Sequence, residues 1–368
     1  MRYYLIAGER SGDLHGGNLI REIRKVDAQA EIRCWGGDEM QRAGATLMKH
    51  YRDLAFMGFW EVVKYLPKIR KFLKECKADL LDFQPDAIIL IDYAGFNLRI
   101  AKFAKSKRLR VYYYIAPKTW ARSAKRTHKL RKYVDQVFSI LPFEPAFFKK
   151  YDVNVSYVGN PLLDAIRNFR RDLVFREKHQ LGAKPVIALL PGSRKQEIEN
   201  VLSAMLEVVP HFPDAHFMVA AVGSLPAYFY NPVRSHPQIS IVTDQTYQVL
   251  SEAQFAVVTS GTATLETALF NVPQVVVYKT SPVTYLIARA LIRVPYISLV
   301  NLIMNKATVP ELIQQDFTVE NIVNFGKKLL EATEDRQDQL ADYARLRALV
   351  GDHPTSQLVA EAIHTDLR

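Results

Sequence analysis

The sequence predicts an α/β protein built of two doubly wound domains, and three observations carry that reading. Its 368 residues exceed one typical domain and suit two of roughly 150–200 residues each. Short apolar runs rich in β-branched residues alternate with longer helical patterns throughout, as buried parallel strands joined by crossover helices require. A charged helical stretch, residues 162–184, separates two such series.

In the first series the strands are expected at Tyr3–Ala7, Ala87–Asp92, Val111–Ile115 and Gln136–Ile140. In the second they are expected at Val186–Leu190, His216–Ala221, Ile239–Val242, Phe255–Thr259 and Gln274–Tyr278. Residues 1–165 then form an N-terminal domain and 166–345 a C-terminal one, with 346–368 a helix packing back on the first. Two such domains place a ligand cleft between them, at the carboxyl ends of their strands.

Composition excludes several classes. No apolar run approaches the roughly 20 residues of a membrane-spanning helix. Cys34 and Cys76 lie far apart, without metal-ligand spacing, and read as reduced thiols in a cytoplasmic protein. Neither G-x-x-x-x-G-K-[ST] nor G-x-G-x-x-G is present, which argues against a P-loop NTPase or a dinucleotide dehydrogenase. There is no G-x-S-x-G elbow and no His/Cys cluster at metal spacing.

The net charge of +11 is local in origin. Thirteen Lys and Arg residues and no acid lie between Asp92 and Asp135; the remaining 36 basic residues face 38 acidic ones. Such asymmetry suggests an anionic partner: nucleic acid, phosphorylated substrate or lipid headgroups. A solvated basic face without a partner is the bland alternative.

Three strand-to-helix turns suit anion chemistry. "GERSGDLHGG", Gly8 to Gly17, follows the first strand. In "IALLPGSRKQEI", Gly192 and Ser193 are expected to leave N–H groups free at a helix start, where anions bind. Arg194 adds a planar fork of donors. In "VVTSGTATLETALF", Ser260, Gly261 and Thr262 make the turn, and Glu266 lies one helical turn on, placed to accept from a ribose if a diphosphate sits at the helix start. Each turn alone is equally well read as a routine helix cap. In "AIILIDYAGFN", Asp92 stands where an apolar strand stops, as a general base in a cleft would; the alternative is an Asx turn.

Phe56 to Phe72, "FMGFWEVVKYLPKIRKF", carries Phe56, Phe59, Trp60, Val63, Leu66 and Ile69 at helical spacing, with lysines and arginines on the other face. That pattern suits a helix lying on an anionic bilayer, or an ordinary amphipathic helix on the core. Tyr112, Tyr113 and Tyr114 in "VYYYI" read as strand residues rather than as base-stacking aromatics.

The ordered set "AGERSGDLHGG", "MGFWEVV", "IDYAGFN", "LPFE", "VGNPLLD", "LLPGSR", "SGTATLE", "SLVNLI" and "VPELIQ" resembles the lipid-A-disaccharide synthase family. These are inverting glycosyltransferases with two Rossmann-like domains in GT-B architecture and an interdomain cleft. The resemblance implies condensation of UDP-2,3-diacylglucosamine with 2,3-diacylglucosamine 1-phosphate (lipid X), giving a β-1,6 disaccharide and UDP without metal or cofactor. It implies Asp92 as general base, with Glu9 and Ser11 closing over the reacting groups. The UDP-sugar side would comprise Gly192, Ser193, Arg194, Ser260, Gly261, Thr262, Glu266, Asn301, Glu311 and Gln314. Peripheral attachment to the cytoplasmic face of an inner membrane follows from the acylated substrates, a homodimer from analogy, and no nucleic-acid partner is expected. Three positions depart from the family pattern: Gly95 where I-D-x-P-D-F-N has a second acid, Arg122–Ser123 where W-A-W-R is usual, and Asn160 where V-G-H-P is usual. The alternatives are a UDP-sugar epimerase or a GT-B transferase with a soluble acceptor, and a non-enzymatic basic binding protein.

Overall fold

The computed structural model describes residues 1–53, 66–122, 124–233, 236–291 and 294–368. The chain divides into two compact units, Met1–Asp164 with Val350–Arg368, and Ala165–Leu349. Each is an α/β unit around one parallel sheet.

In the first unit the strands are β1 (Arg2–Ala7), β2 (Glu31–Gly36), β3 (Thr46–His50), β4 (Ala87–Ile91), β5 (Arg110–Tyr114), β6 (Gln136–Ser139) and β7 (Val155–Tyr157), in the order β3-β2-β1-β4-β5-β6-β7. Tyr112, Tyr113 and Tyr114 are buried strand residues, so they stack on no base. β2, β3 and β7 escape the apolar-run criterion, because their sequences EIRCWG, TLMKH and VSY mix polar residues into short strands. Arg33 of β2 is charge-paired with Asp79 at 2.8 Å and Asp82 at 2.9 Å.

In the second unit the strands are β8 (Val186–Leu190), β9 (His216–Ala221), β10 (Ile239–Thr243), β11 (Ala253–Thr259), β12 (Gln274–Tyr278) and β13 (Glu311–Ile313), in the order β10-β9-β8-β11-β12-β13. The charged stretch after residue 161 contains the helices Pro161–Asn168 and Phe175–Lys178. Arg171 and Arg176 hold the buried Glu252 at 2.7 and 3.1 Å, so part of its charge serves packing.

The helix Thr355–Asp366 returns to the first unit. Its Val359, Ala360 and Ile363 share a core with Leu19, Ile20 and Ile23 of the helix Arg10–Val26. The helix Leu66–Phe83 buries Phe72, Cys76, Leu80 and Phe83 beside Tyr4, Trp35 and Phe96, a stripe at helical spacing. Burial also raises the pKa of both free thiols, Cys34 to about 12 and Cys76 further.

Strand order decides where chemistry can sit. In each sheet the direction of winding reverses once, between β1 and β4 and between β8 and β11. At such a reversal the flanking crossovers go to opposite faces and leave a crevice beyond the strand ends. Ala7 pairs with Ile91 and Leu190 with Val258, so the Gly8 turn and Asp92 share one reversal. The Pro191–Arg194 and Ser260–Thr262 turns share the other.

Candidate active site

At the first reversal, Asp92 and Tyr93 are consecutive left-handed residues, with φ of +44° and +46°. The conformation costs a non-glycine residue roughly 1–2 kcal/mol and persists only where surroundings impose it. The Asp92 carbonyl accepts from Tyr113 Oη at 2.5 Å and from Asn97 Nδ2 at 2.9 Å. The buried Asn97 amide also reaches the carbonyls of Ile91 at 3.2 Å and Ile6 at 3.4 Å, tying the ends of β4 and β1 together. Asp92 is therefore held through its backbone, and its half-buried carboxylate is aimed by that turn.

The Tyr93 ring lies on Gly8. A Cβ on Gly8 would sit 2.2 Å from Tyr93 Cγ, inside any permissible contact, so that glycine serves close packing rather than a phosphate. Burial, then the neighbouring Glu9 carboxylate, raises the pKa of the Tyr93 hydroxyl. Glu9 is the N-cap of the helix Arg10–Val26, with Ser11 exposed in its first turn. The loop's other acid, Asp13, is buried and structural: it accepts from the N–H groups of Gly37, Glu39 and Met40 at 2.7, 3.0 and 3.1 Å.

Two residues of this unit carry more than their motifs reveal. Glu144 of "LPFE" is 1% exposed and accepts from Trp120 Nε1 at 3.0 Å and from the N–H groups of Ile140 and Leu141, each at 3.2 Å. Burial pushes its carboxyl up to about 7 against those hydrogen bonds. Asn160 is equally buried; it accepts from Leu162 N at 3.1 Å and donates to Ile140 O at 3.2 Å. Its side chain thus ties the start of the helix Pro161–Asn168 to the end of β6. Among the described residues nothing lies within 4 Å of a Cβ on Gly95, so a second acid there would clash with none of them.

At the second reversal the two helix starts differ. The expectation of free N–H groups at Gly192–Ser193 is corrected: Ser193 N and Arg194 N donate to Glu197 Oε2 at 3.0 and 3.1 Å, a capping-box arrangement. The reason is local, since an acid three residues into a helix reaches back to its first N–H groups. Gly192, at φ +104°, makes the approach possible; a Cβ there would lie 2.4 Å from Glu197 Oε2. Arg194 keeps its guanidinium half exposed, 3.4 Å from Glu197 Oε1.

The helix Thr262–Leu269 starts at Gly261 with no side-chain cap, and nothing described lies within 4 Å of a Cβ on Gly261. Uncapped N–H groups with the positive end of the helix dipole favour an anion. Ser260 directs its hydroxyl to Ile297 O at 2.9 Å and its N–H to Val277 O at 3.0 Å, so neither donor of Ser260 faces the helix start. Glu266 accepts from Tyr247 Oη at 2.9 Å and is half-buried, its pKa raised by burial against that hydrogen bond. Phe169, Tyr247 and Phe270 pack on one another beside it.

Asn301, Glu311 and Gln314 form the framework behind this turn. Glu311 accepts from Ile297 N, Ser298 N, Ser298 Oγ and Asn301 Nδ2 at 3.0, 2.9, 2.7 and 2.9 Å. Asn301 exchanges two 2.9 Å bonds with the Val309 backbone, and Gln314 brackets Thr280 at 2.7 and 3.0 Å. These side chains are spent on the chain itself and position the wall.

Of the expected membrane stripe, Phe56, Phe59, Trp60 and Val63 lie outside the described residues, as does the Leu66 side chain. Ile69 is half-buried, and Phe72, next on that face, is core. The Arg122 side chain and Ser123 also lie outside the described residues. Every other lysine and arginine between Asp92 and Asp135, Lys125 excepted as undescribed, is exposed.

Two doubly wound units, each built on a parallel sheet with its candidate turns at the reversal of that sheet, have the fold class of GT-B-type glycosyltransferases. Solved structures share it at low identity. A Neisseria meningitidis UDP-GlcNAc 2-epimerase bound to UDP-GlcNAc covers 99% of this chain and 100% of its own, at TM-score 0.69 and 13% identity. The glycotransferase of kitacinnamycin covers 100% and 99%, at TM-score 0.64 and 14% identity.

Sequence relatives are more specific. The lipid-A-disaccharide synthetase family matches residues 3–361. The lipid-A-disaccharide synthase of Coxiella burnetii is 34% identical over 98% of this chain and 97% of its own. That of Geobacter metallireducens is 34% identical over 98% and 95%, and lipid-A-disaccharide synthase 1 of Legionella pneumophila is 36% identical over 86% and 84%. The chain belongs to the lipid-A-disaccharide synthetase family and is a hexosyltransferase.

Proposed function

We propose that the chain transfers a 2,3-diacylglucosaminyl group from UDP to the 6-hydroxyl of 2,3-diacylglucosamine 1-phosphate. The Asp92 carboxylate takes the hydroxyl proton as the oxygen attacks C1 from the face opposite UDP. The new C1–O bond forms, the bond to the diphosphate breaks with inversion, and the electron pair leaves on UDP. Donors at the Gly261–Thr262 helix start and Arg194 stabilise the departing charge, and Glu266 accepts from the ribose. Glu9 and Ser11 order the acceptor side. Both substrates are acylated, so the enzyme works at the cytoplasmic surface of the inner membrane, with the basic 93–134 segment towards anionic headgroups.

The observation that carries this reading is the uncapped helix start at Gly261, at the reversal of the second sheet and one turn ahead of Glu266. Incubation with UDP-2,3-diacylglucosamine and lipid X tests it. Equimolar disaccharide and UDP are expected. A 2-epimer of the donor, or turnover with soluble sugar acceptors alone, would overturn it.

A further inference from the structure

In the second unit, the helix Pro282–Leu291 reads PVTYLIARAL, and the side chains of Ile287, Ala288 and Leu291 lie outside the described residues. Val283, Leu286 and Ala290 recur at the i, i+3, i+7 spacing that ordinarily faces a core, yet all three are exposed, Val283 and Leu286 by 66% and 64%. Arg289 and Lys279 are exposed alongside, and Tyr285 and Tyr296 are half-buried.

The segment is an excursion pinned at both ends. Gln314 brackets Thr280, and Glu311 takes the N–H groups of Ile297 and Ser298. Ser260, of the turn assigned to the diphosphate, holds Ile297 O. The apolar helix is thus anchored directly on the proposed donor wall.

Charge and area select the occupant. From residue 267 to 310 there is no Asp or Glu, against Lys279, Arg289, Arg293 and Lys306, of which Lys306 is paired with Asp342 at 2.7 Å. Ten residues at about 1.5 Å rise on a helix about 10 Å across make a face of roughly 150 Å², small against the roughly 800 Å² per partner of a stable protein interface. An apolar stripe flanked by cations and tyrosines suits a headgroup layer, where apolar side chains enter the acyl boundary and cations meet anionic phosphates. We propose that the helix Pro282–Leu291 is a membrane-contacting surface of the second unit that lies on anionic bilayer. The proposal rests on the reading of acylated substrates for its use, since it would hold the donor site against the surface from which the donor is drawn.

The test is co-sedimentation of the full chain with phosphatidylethanolamine–phosphatidylglycerol vesicles, without substrate. Val283→Ser/Leu286→Ser is expected to lower the partition constant roughly tenfold or more. Arg289→Ser should lower it a few-fold, less so at high salt. Melting temperature and UDP affinity should not change, because the altered side chains are exposed. Vesicle binding by the double variant equal to that of the wild type overturns the proposal. So does a fall in its light-scattering mass, which would make the helix a contact between copies. Disaccharide formation is scored separately on detergent-dispersed substrates. Vesicle binding lost in the variant while the wild type makes no disaccharide would support this surface and refute the proposed function.

Discussion

The two sheet reversals share one strand order and present opposite chemistry. At the first, a strained turn aims a carboxylate, Asp92, beside the Glu9 N-cap. At the second, the Gly261 helix start presents its N–H groups and Arg194 a half-exposed guanidinium, while Glu197 closes the other helix start and Glu311 accepts from Ile297 and Ser298. The shared topology supplies a crevice in each unit; on the proposed function, the turn residues make one a proton acceptor and the other an anion site. An inverting transfer from a nucleotide sugar needs one of each, a base for the acceptor and a cradle for the leaving diphosphate.

The contrast breaks most sharply at Asp92. Asp92→Asn keeps the turn, whose hydrogen bonds go to the backbone carbonyl, and removes the base. Turnover is expected to fall about 10²–10⁴-fold with UDP affinity intact by calorimetry; near-normal turnover would remove Asp92 from that role. Arg194→Ala should lower kcat by about 10²–10³-fold. An effect on KM alone would limit the residue to ground-state binding.

The paired glycines sharpen the comparison. Gly8→Ala drives a Cβ into Tyr93 and should cost about 1–3 kcal/mol in denaturant unfolding. Gly261→Ala meets open space and should leave stability within about 0.5 kcal/mol while weakening UDP binding. Equal effects at both would mean that Gly8 is as free as Gly261.

A smaller effect concerns Glu144. Its folded pKa, about 7, lies above its ordinary value of 4.5, so the folded state holds the extra proton between the two. Its contribution is present below about pH 4.5 and is lost as pH rises through about 7. Thermal unfolding from pH 5 to 8 should show a shallower loss of stability in Glu144→Gln than in the wild type. An identical slope would mean that the carboxyl does not titrate in that window.

Much of the fold was legible because fully buried parallel strands are apolar runs. β4 and β8 read AIILI and VIALL, and burial leaves little else possible. β2, β3, β7 and β13 were not legible, since short mixed sequences such as EIRCWG and ELI carry no such run. The turns at Asp92, Arg194 and Gly261 were visible as breaks after apolar strands. The employment of Glu197, Asn301, Glu311 and Gln314 was not, because hydrogen bonds to backbone several residues away leave no mark on spacing.

By itself the sequence determined the α/β class, the local nature of the charge excess and the ordered motifs that place the chain in its family, since these follow from composition, period and identity. Only the tertiary structure decided that β1 lies beside β4 and β8 beside β11, because strand order depends on which apolar faces pack together. That pairing brings the Gly8 turn to Asp92 and the Gly192 turn to Ser260. It also showed that one helix start is closed by its own glutamate while the other stands open.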